Sequence, residues 1–448
     1  MKRYIYIIIG IVVAAAIVIA ILFLIKNNGA TPSQGNTGST STNGSLPAVG
    51  AGGSNGSGTA STVGALGLAS ITGSSTSGSA GKVAVQNFGV LSSDPVLDYF
   101  VDAHNNIIAI EPTGQIISIS NGQTTTINSS TINDIISASF SYDGKKIVVS
   151  YGNPSSPTTE IFDASTTAWT QVSQTMFSPQ WSPANNYLLA YLASPSNGVL
   201  TLATVNAASP KQAPVALLTL NANDLALQWA TANEFILSDK PTYQNAGSVW
   251  DFNSTAGTLT PLIYEVSGAE GIWSHNAAIP YGLTFFNNQP GQGQNNTLQL
   301  QAFSGNLPTE ELSIATLPSK CAFNTEMMPA AASTPPSTAS STATTSTVAK
   351  KVAAANNAPT STPYLALYCG VPRSTSGFSS AHLPDDYNTM ALFTSDDIYK
   401  INTATGILQP LWNDQTQNMD VSDVKFFNNA LFFVNRYDQK LYGLTFSG

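Results

Sequence analysis

Side chains able to do chemistry are sparse in this chain. It has three histidines, His104, His275 and His382, and two cysteines, Cys321 and Cys369. A metal site assembled from histidines needs short, regular spacing such as H-x-x-x-H or H-x-x-E. None of the three has it, and each falls in a different repeat of the sequence, so they read as loop histidines. Asp385-Asp386 and Asp396-Asp397 are adjacent carboxylates. Acid/base catalysis requires two carboxyls that converge, whereas neighbours in a strand point to opposite faces. Both pairs are therefore expected as solvated turn charges. Gly52-Gly53-Ser54-Asn55-Gly56 fits the G-x-S-x-G pattern of a nucleophile elbow but lies in low-complexity sequence, without the strand and helix such an elbow needs. There is no C-x-x-C-H haem motif, and Ser141-Tyr142-Asp143-Gly144 places Gly directly after Asp, unlike an S-x-D-x-G-x-T-W box. No catalytic, cofactor-binding or metal-binding set is predicted.

Charge narrows the partners. Charged residues make up 9% of the 448 and the net charge is −9, against a usual charged share of about 25%. Nucleic acid is an unsuitable partner, because it needs a clustered basic face. The lysine pairs 145–146 and 350–351 are too short to form one. Ser, Thr, Asn and Gly fill the balance, as expected of β-structure with many turns. The sequons at Asn43, Asn55, Asn128, Asn253 and Asn295 are chance matches in a chain so rich in Asn, Ser and Thr.

The chain divides into three parts. Tyr4 to Ile25 carries no charge and as a helix would run about 33 Å, enough to span a bilayer. Lys2 and Arg3 precede it, which predicts a cytoplasmic N-terminus and a remainder outside. Residues 1–26 are thus expected to be an uncleaved anchor, with the lipid bilayer as partner through residues 4–25. Residues 27–81 contain no charge and are dominated by Gly, Ser, Thr, Asn and Ala. Such a segment cannot bury enough surface to offset its ordering entropy, and reads as a flexible linker with a reach of roughly 40 Å.

Residues 82–448 repeat. The clearest unit is ASFSYDGKKIVVSYG, from Ala138 to Gly152, a strand, an Asp-Gly turn and a second strand. Taking the aromatic before each hairpin as a mark gives Phe100, Phe140, Trp181, Trp229, Trp273, Phe323 and Phe426. Intervals of about 40–50 residues are those of propeller blades. The last interval is about double, and residues 327–363, rich in Ala, Ser, Thr and Pro, account for it as a disordered insertion. Helices are not expected after Lys82, since no sustained 3.6-residue periodicity appears. The final repeat, Val424 to Phe446, supplies only about three strands. Lys82 to Val90 is the candidate for the missing outer strand, without which two sheet edges would stay unpaired. The predicted fold is all-β: a seven-bladed β-propeller preceded by one transmembrane helix and a disordered linker.

SFSYDGKKIVV and QWSPANNYLLAYL resemble the W-S-P-D-G-K hairpin of TolB-like and WD40-like β-propeller repeats. Ile161-Phe162-Asp163 and Val249-Trp250-Asp251 resemble the hydrophobic-aromatic-Asp close of WD-type blades. The resemblance covers residues 82–448 and implies a fold, which leaves function open. Cys321 opens the sixth repeat and Cys369 ends the run Tyr364 to Tyr368. An even count in an exported domain, with the two on neighbouring strands of one blade, predicts a disulfide. The expected function is a non-enzymatic binding or scaffold module for an envelope protein or polysaccharide, without cofactors. The alternative is an envelope hydrolase or lyase with its active site in the propeller funnel.

Overall fold

The structure is a computed structural model. It describes residues 85–446 except 185, 195–198, 241, 277–280, 286–297, 303–309, 313 and 328–362. Tyr4–Ile25, the linker 27–81 and nearly all of the insertion 327–363 lie outside the described residues. Among the described residues no helix is long and apolar enough to cross a membrane.

Seven four-stranded antiparallel sheets form the blades of a propeller. Blades 1 to 6 span residues 98–128, 135–171, 177–220, 225–267, 270–312 and 321–412. Within each, sequence order is also spatial order, from the axis outward. The seven aromatic marks all fall on the first, axial strands. This follows from alternation: hairpins whose faces are both covered by neighbouring blades carry apolar residues on both sides. Lys146–Asn153, in blade 2, is buried through Ile147, Val148 and Val149 for that reason.

Blade 7 closes the ring as the sequence predicts. Its first three strands are Val421–Phe427, Ala430–Asn435 and Lys440–Phe446. Its outer strand is Val85–Val90, paired antiparallel from Val85 opposite Phe446 to Val90 opposite Tyr442.

One glycine shows how adjacent blades mesh. Gly144 of the Asp-Gly turn has φ +69, and a Cβ there would come 2.1 Å from the Phe100 ring of blade 1. The turn needs glycine both for its backbone angle and for that close approach. Blade 3 grips the same turn, since the Tyr187 hydroxyl donates to Asp143 Oδ2 at 2.7 Å.

Three expectations are corrected. First, two short helices occur, α1 (Thr375–Ser380) and α2 (Asp385–Asn388), in the excursion between the second and third strands of blade 6. Phe378, Leu383 and Tyr387 anchor this excursion in a core shared by blades 5 and 6. Second, the acidic pairs are not free turn charges. Asp385 and Asp386 belong to α2, and Asp396 and Asp397 open a strand. Asp396 is fully buried against Lys320 at 2.7 Å, while Asp397 accepts from Arg373 Nε at 2.6 Å. Lys320 also reaches Asp420 at 2.5 Å, and Arg436 meets the other Asp420 oxygen at 2.8 Å. Two cations and two anions thus neutralise one another under α2. Burial alone would push Lys320 down, but Asp396, Tyr387 and Asp420 outweigh it and hold the ammonium above its ordinary value. Third, the two WD-like closes are not equivalent. Asp163 pairs opposite Lys146 at the start of its neighbouring strand, and the residue so placed in blade 4 is Asn253, opposite Glu234. Asp251 instead occupies the position of Ile161, two residues earlier and on the buried face.

Candidate functional site: the axial cavity

The first strands surround a cavity of about 1000 Å³ on the propeller axis. It is lined by strand residues such as Gln180, Gln228, Phe323 and Lys425, and by Tyr142, Pro183 and His275 from the turns between first and second strands. Those turns border it on one face. On the opposite face the blade 6 excursion reaches across to blade 4. There the Tyr243 and His382 rings lie 4.4 Å apart, and the Tyr243 N–H donates to Asp385 Oδ2 at 3.1 Å.

Side-chain bonds between neighbouring blades brace the cavity wall. Gln228 Nε2 donates to the Gly271 carbonyl at 2.7 Å, and Asn276 Nδ2 donates to Thr325 Oγ1 at 2.9 Å. His275 Nδ1 lies 3.0 Å from the Ala230 carbonyl. A carbonyl only accepts, so Nδ1 carries a proton.

The charged residues of the wall, Asp423 and Lys425, form one cluster with Asp98 at the seam of blades 7 and 1, two carboxyls about one ammonium. Lys425 Nζ pairs with Asp98, lies 3.4 Å from Asp423 Oδ1, and donates to the Tyr99 carbonyl at 3.0 Å. The Tyr99 hydroxyl donates to the Asp423 carbonyl at 2.7 Å. Asp423 sits in a bulge of its strand with φ 45. Burial, aided by the Asp98 charge, pushes Asp423 up to about 7 despite Lys425. Neither Asp423 nor Lys425 was singled out from sequence. They stand two apart in an aromatic run, and their partner Asp98 is more than three hundred residues away in the chain.

The residues that were singled out do not converge. His104 lies on an exposed loop near Asp102, His275 in the cavity wall, and His382 on the opposite face. Cys321 and Cys369 are bonded, with sulfurs 2.11 Å apart, and directly opposite each other on the first two strands of blade 6. Their Cα separation of 4.1 Å is that of a close cross-strand pair. Seven consecutive pairs join these strands, with the disulfide at one end and Met327–Pro363, where the insertion departs, at the other. Asn128 and Asn253 each accept backbone N–H bonds in local turns; the sequons at 43, 55 and 295 and the Ser54 pattern lie outside the described residues. Among the described residues, no group of three or more His, Cys, Asp or Glu side chains is placed to hold a metal ion.

No protein-family model and no curated protein matches this chain. Solved structures do resemble it. A structure of YCF48 bound to D1 peptide is 10% identical, with a TM-score of 0.46 over 82% of this chain and 98% of that one. A prolyl endopeptidase is 10% identical, with a TM-score of 0.44 over 80% of this chain. TolB from Acinetobacter baumannii is 11% identical, with a TM-score of 0.33 over 78% of this chain. The chain spans about half the length of the prolyl endopeptidase, 51%, and 63% of that TolB. At such identities the likeness is one of fold.

Proposed function

We propose that this protein is a membrane-tethered binding or scaffold module of the cell envelope. Its propeller is held outside the cytoplasm on a flexible linker and engages an envelope protein or polysaccharide. The observation that carries the reading is the axial cavity, lined by hydrogen-bonding side chains and by one compact charged cluster in which Lys425 stands between Asp98 and Asp423. Such a wall favours recognition of a polar partner through hydrogen bonds. The uncharged Tyr4–Ile25 segment and its basic flank support the tether. Proximity labelling in intact cells, with the labelling enzyme fused after Gly448, tests this. One dominant envelope protein or glycan-bearing species is expected; labelling of cytoplasmic proteins alone would refute it.

A second reading, an envelope hydrolase or lyase, is favoured by a single observation. Asp423, pushed up to about 7, and His275 line the same cavity, as a general acid or base does in a cleft. Turnover of envelope glycans or peptides that Asp423→Asn abolishes would establish it in place of the first.

A further inference from the structure

We infer that the face opposite the first-to-second-strand turns carries a docking strip for a basic protein segment with an aromatic or long aliphatic anchor. The strip runs over blades 6, 7 and 1. It goes beyond the binding role proposed above and is independent of the axial cavity.

Its apolar end is built from the blade 6 excursion and one turn of blade 7. Met390, just after α2, is 52% exposed and Phe393 39%. Tyr437, in the turn between the second and third strands of blade 7, is 47% exposed. Apolar side chains exposed singly need no explanation, but these three are grouped. The Phe393 and Tyr437 rings stack with centroids 5.3 Å apart. Met390 lies three residues from Phe393 in a tight turn, where the Ala391 and Leu392 N–H groups both donate to the Asp386 carbonyl, at 2.8 and 2.9 Å. Met390 itself has φ 59, in the region that favours glycine. A large apolar side chain kept at such a position, half in water, fits a residue presented to a partner.

The platform is fixed from beneath. The Arg436 guanidinium lies 4.9 Å from the Phe393 ring centre and pairs with Asp420 at 2.8 Å. It also donates to the Leu392 and Tyr387 carbonyls, at 3.1 and 2.5 Å. At 150–250 Å² for each large side chain, the exposed parts offer on the order of 300 Å². That is well below the roughly 800 Å² that a folded partner covers, and suits a short segment with one anchor.

Charge selects the segment. The 91–97 loop, which joins blade 7 to blade 1, lies against the same blade 7 turn, with the Val96 N–H donating to the Gln439 carbonyl at 2.7 Å. Leu97 N–H donates to the Ile110 carbonyl at 2.8 Å, next to Glu111 in the blade 1 turn. Asp438, Asp94 and Glu111 therefore continue the strip beyond Tyr437. None of these carboxylates is ion-paired among the described residues. Burial, with the Asp94 charge nearby, pushes the Glu111 carboxyl up. Arg373 and Arg436 are taken by Asp397 and Asp420, and Lys440 is outnumbered. Uncompensated carboxylates beside an aromatic platform complement lysines or arginines beside an apolar anchor. The same charges disfavour two other occupants. A second copy docked about a twofold axis would set carboxylate against carboxylate, and an anionic membrane surface would be repelled. All turns of the strip are described; the undescribed turns of this face leave from blades 3, 4 and 5.

Panning the full-length protein, kept in mild non-ionic detergent at low salt, against a phage library of random dodecapeptides tests this. Peptides with net positive charge and an aromatic or long aliphatic residue are expected. Their affinity should fall about tenfold in Met390→Ser/Tyr437→Ser at unchanged melting temperature. It should fall about threefold in Asp94→Asn/Asp438→Asn, with a shallower dependence on salt. A photo-crosslinking amino acid in place of Gln439 should label the same peptides, and this readout stands even where the Met390/Tyr437 variant misfolds. No enrichment, neutral or acidic peptides, equal binding by both variants, indifference to salt or a silent crosslinker would each overturn the inference. Binding of chitohexaose or of phosphatidylglycerol vesicles, or self-association in sedimentation velocity, that Met390→Ser/Tyr437→Ser abolishes would give the strip another occupant and overturn it too.

Discussion

The Phe88 ring stacks on the indole of Trp412 with centroids 4.7 Å apart. Phe88 belongs to the N-terminal strand that completes blade 7, and Trp412 ends blade 6. Phe88 also stacks on Tyr442 within its own blade at 5.8 Å. The strand is thus held by packing against two blades as well as by its ladder.

A chain beginning at Gly81 should therefore fold cooperatively, while one beginning at Ser93 should melt about 5–10 °C lower or aggregate through the bared edge. Differential scanning calorimetry of the two compares them directly. Equal melting temperatures would count against closure by this strand.

The disulfide makes a separate prediction. It closes a loop with a sequence separation of 48, for which the chain-entropy relation gives about 4 kcal/mol. Reduction should lower the free energy of unfolding by up to that amount. Trypsin should cut at Lys350-Lys351, and the two pieces should run as one band without reductant and as two with it. Two bands under both conditions, after alkylation, would show that the bridge does not form in solution.

Asp251 makes a pH-dependent prediction. It stands where blade 2 has Ile161, and burial, with Glu234 nearby, pushes its carboxyl up to about 7. A folded-state value above the unfolded one, near 3.9, means ionisation opposes folding. The penalty is absent below about pH 4, grows as pH rises, and is complete above about 7. Asp251→Asn should therefore be stabilising by about 2–4 kcal/mol at pH 8 and close to neutral at pH 4. Urea titrations at the two pH values check this, and a pH-independent effect would contradict it.

Lys320 is the hub of the buried network beneath α2, within reach of Asp396, Asp420 and Thr394. Lys320→Ala leaves the buried Asp396 carboxylate without a cation, while Asp420 keeps Arg436, and should cost about 3–5 kcal/mol. The excursion 373–395 should also become the first site of limited proteolysis. An unchanged urea midpoint would show that the network contributes little.

Much of the fold was legible because it is written locally. The seven aromatic marks and the Asp-Gly turn are short-range patterns, and the short last repeat announced a missing strand that Val85–Val90 supplies. What failed did so for identifiable reasons. In Val249-Trp250-Asp251-Phe252-Asn253 two aromatics stand two apart, and a shift of two leaves a period-two pattern unchanged. Sequence alone therefore had no means to choose Asn253 over Asp251 as the close. Helices α1 and α2, at six and four residues, are too short to show periodicity. Asp396 looked like a turn charge because its partner, Lys320, lies far away in the chain and meets it only after blade 6 forms. The cavity wall was hidden for the same reason, being assembled from short stretches of several blades far apart in the chain.

The closing strand also has a mechanical meaning. Any pull on the chain ahead of Val85 enters the domain through the outermost strand of blade 7, at the pair Val85–Phe446. Because the strand runs antiparallel along a sheet edge, tension directed away from that end loads one rung at a time. Unzipping of this kind yields at lower force than shearing a whole ladder at once. The first element to give way under load would be the one that keeps the ring shut, so a pull on the preceding chain would be read out as opening between blades 7 and 6, where Phe88 leaves Trp412.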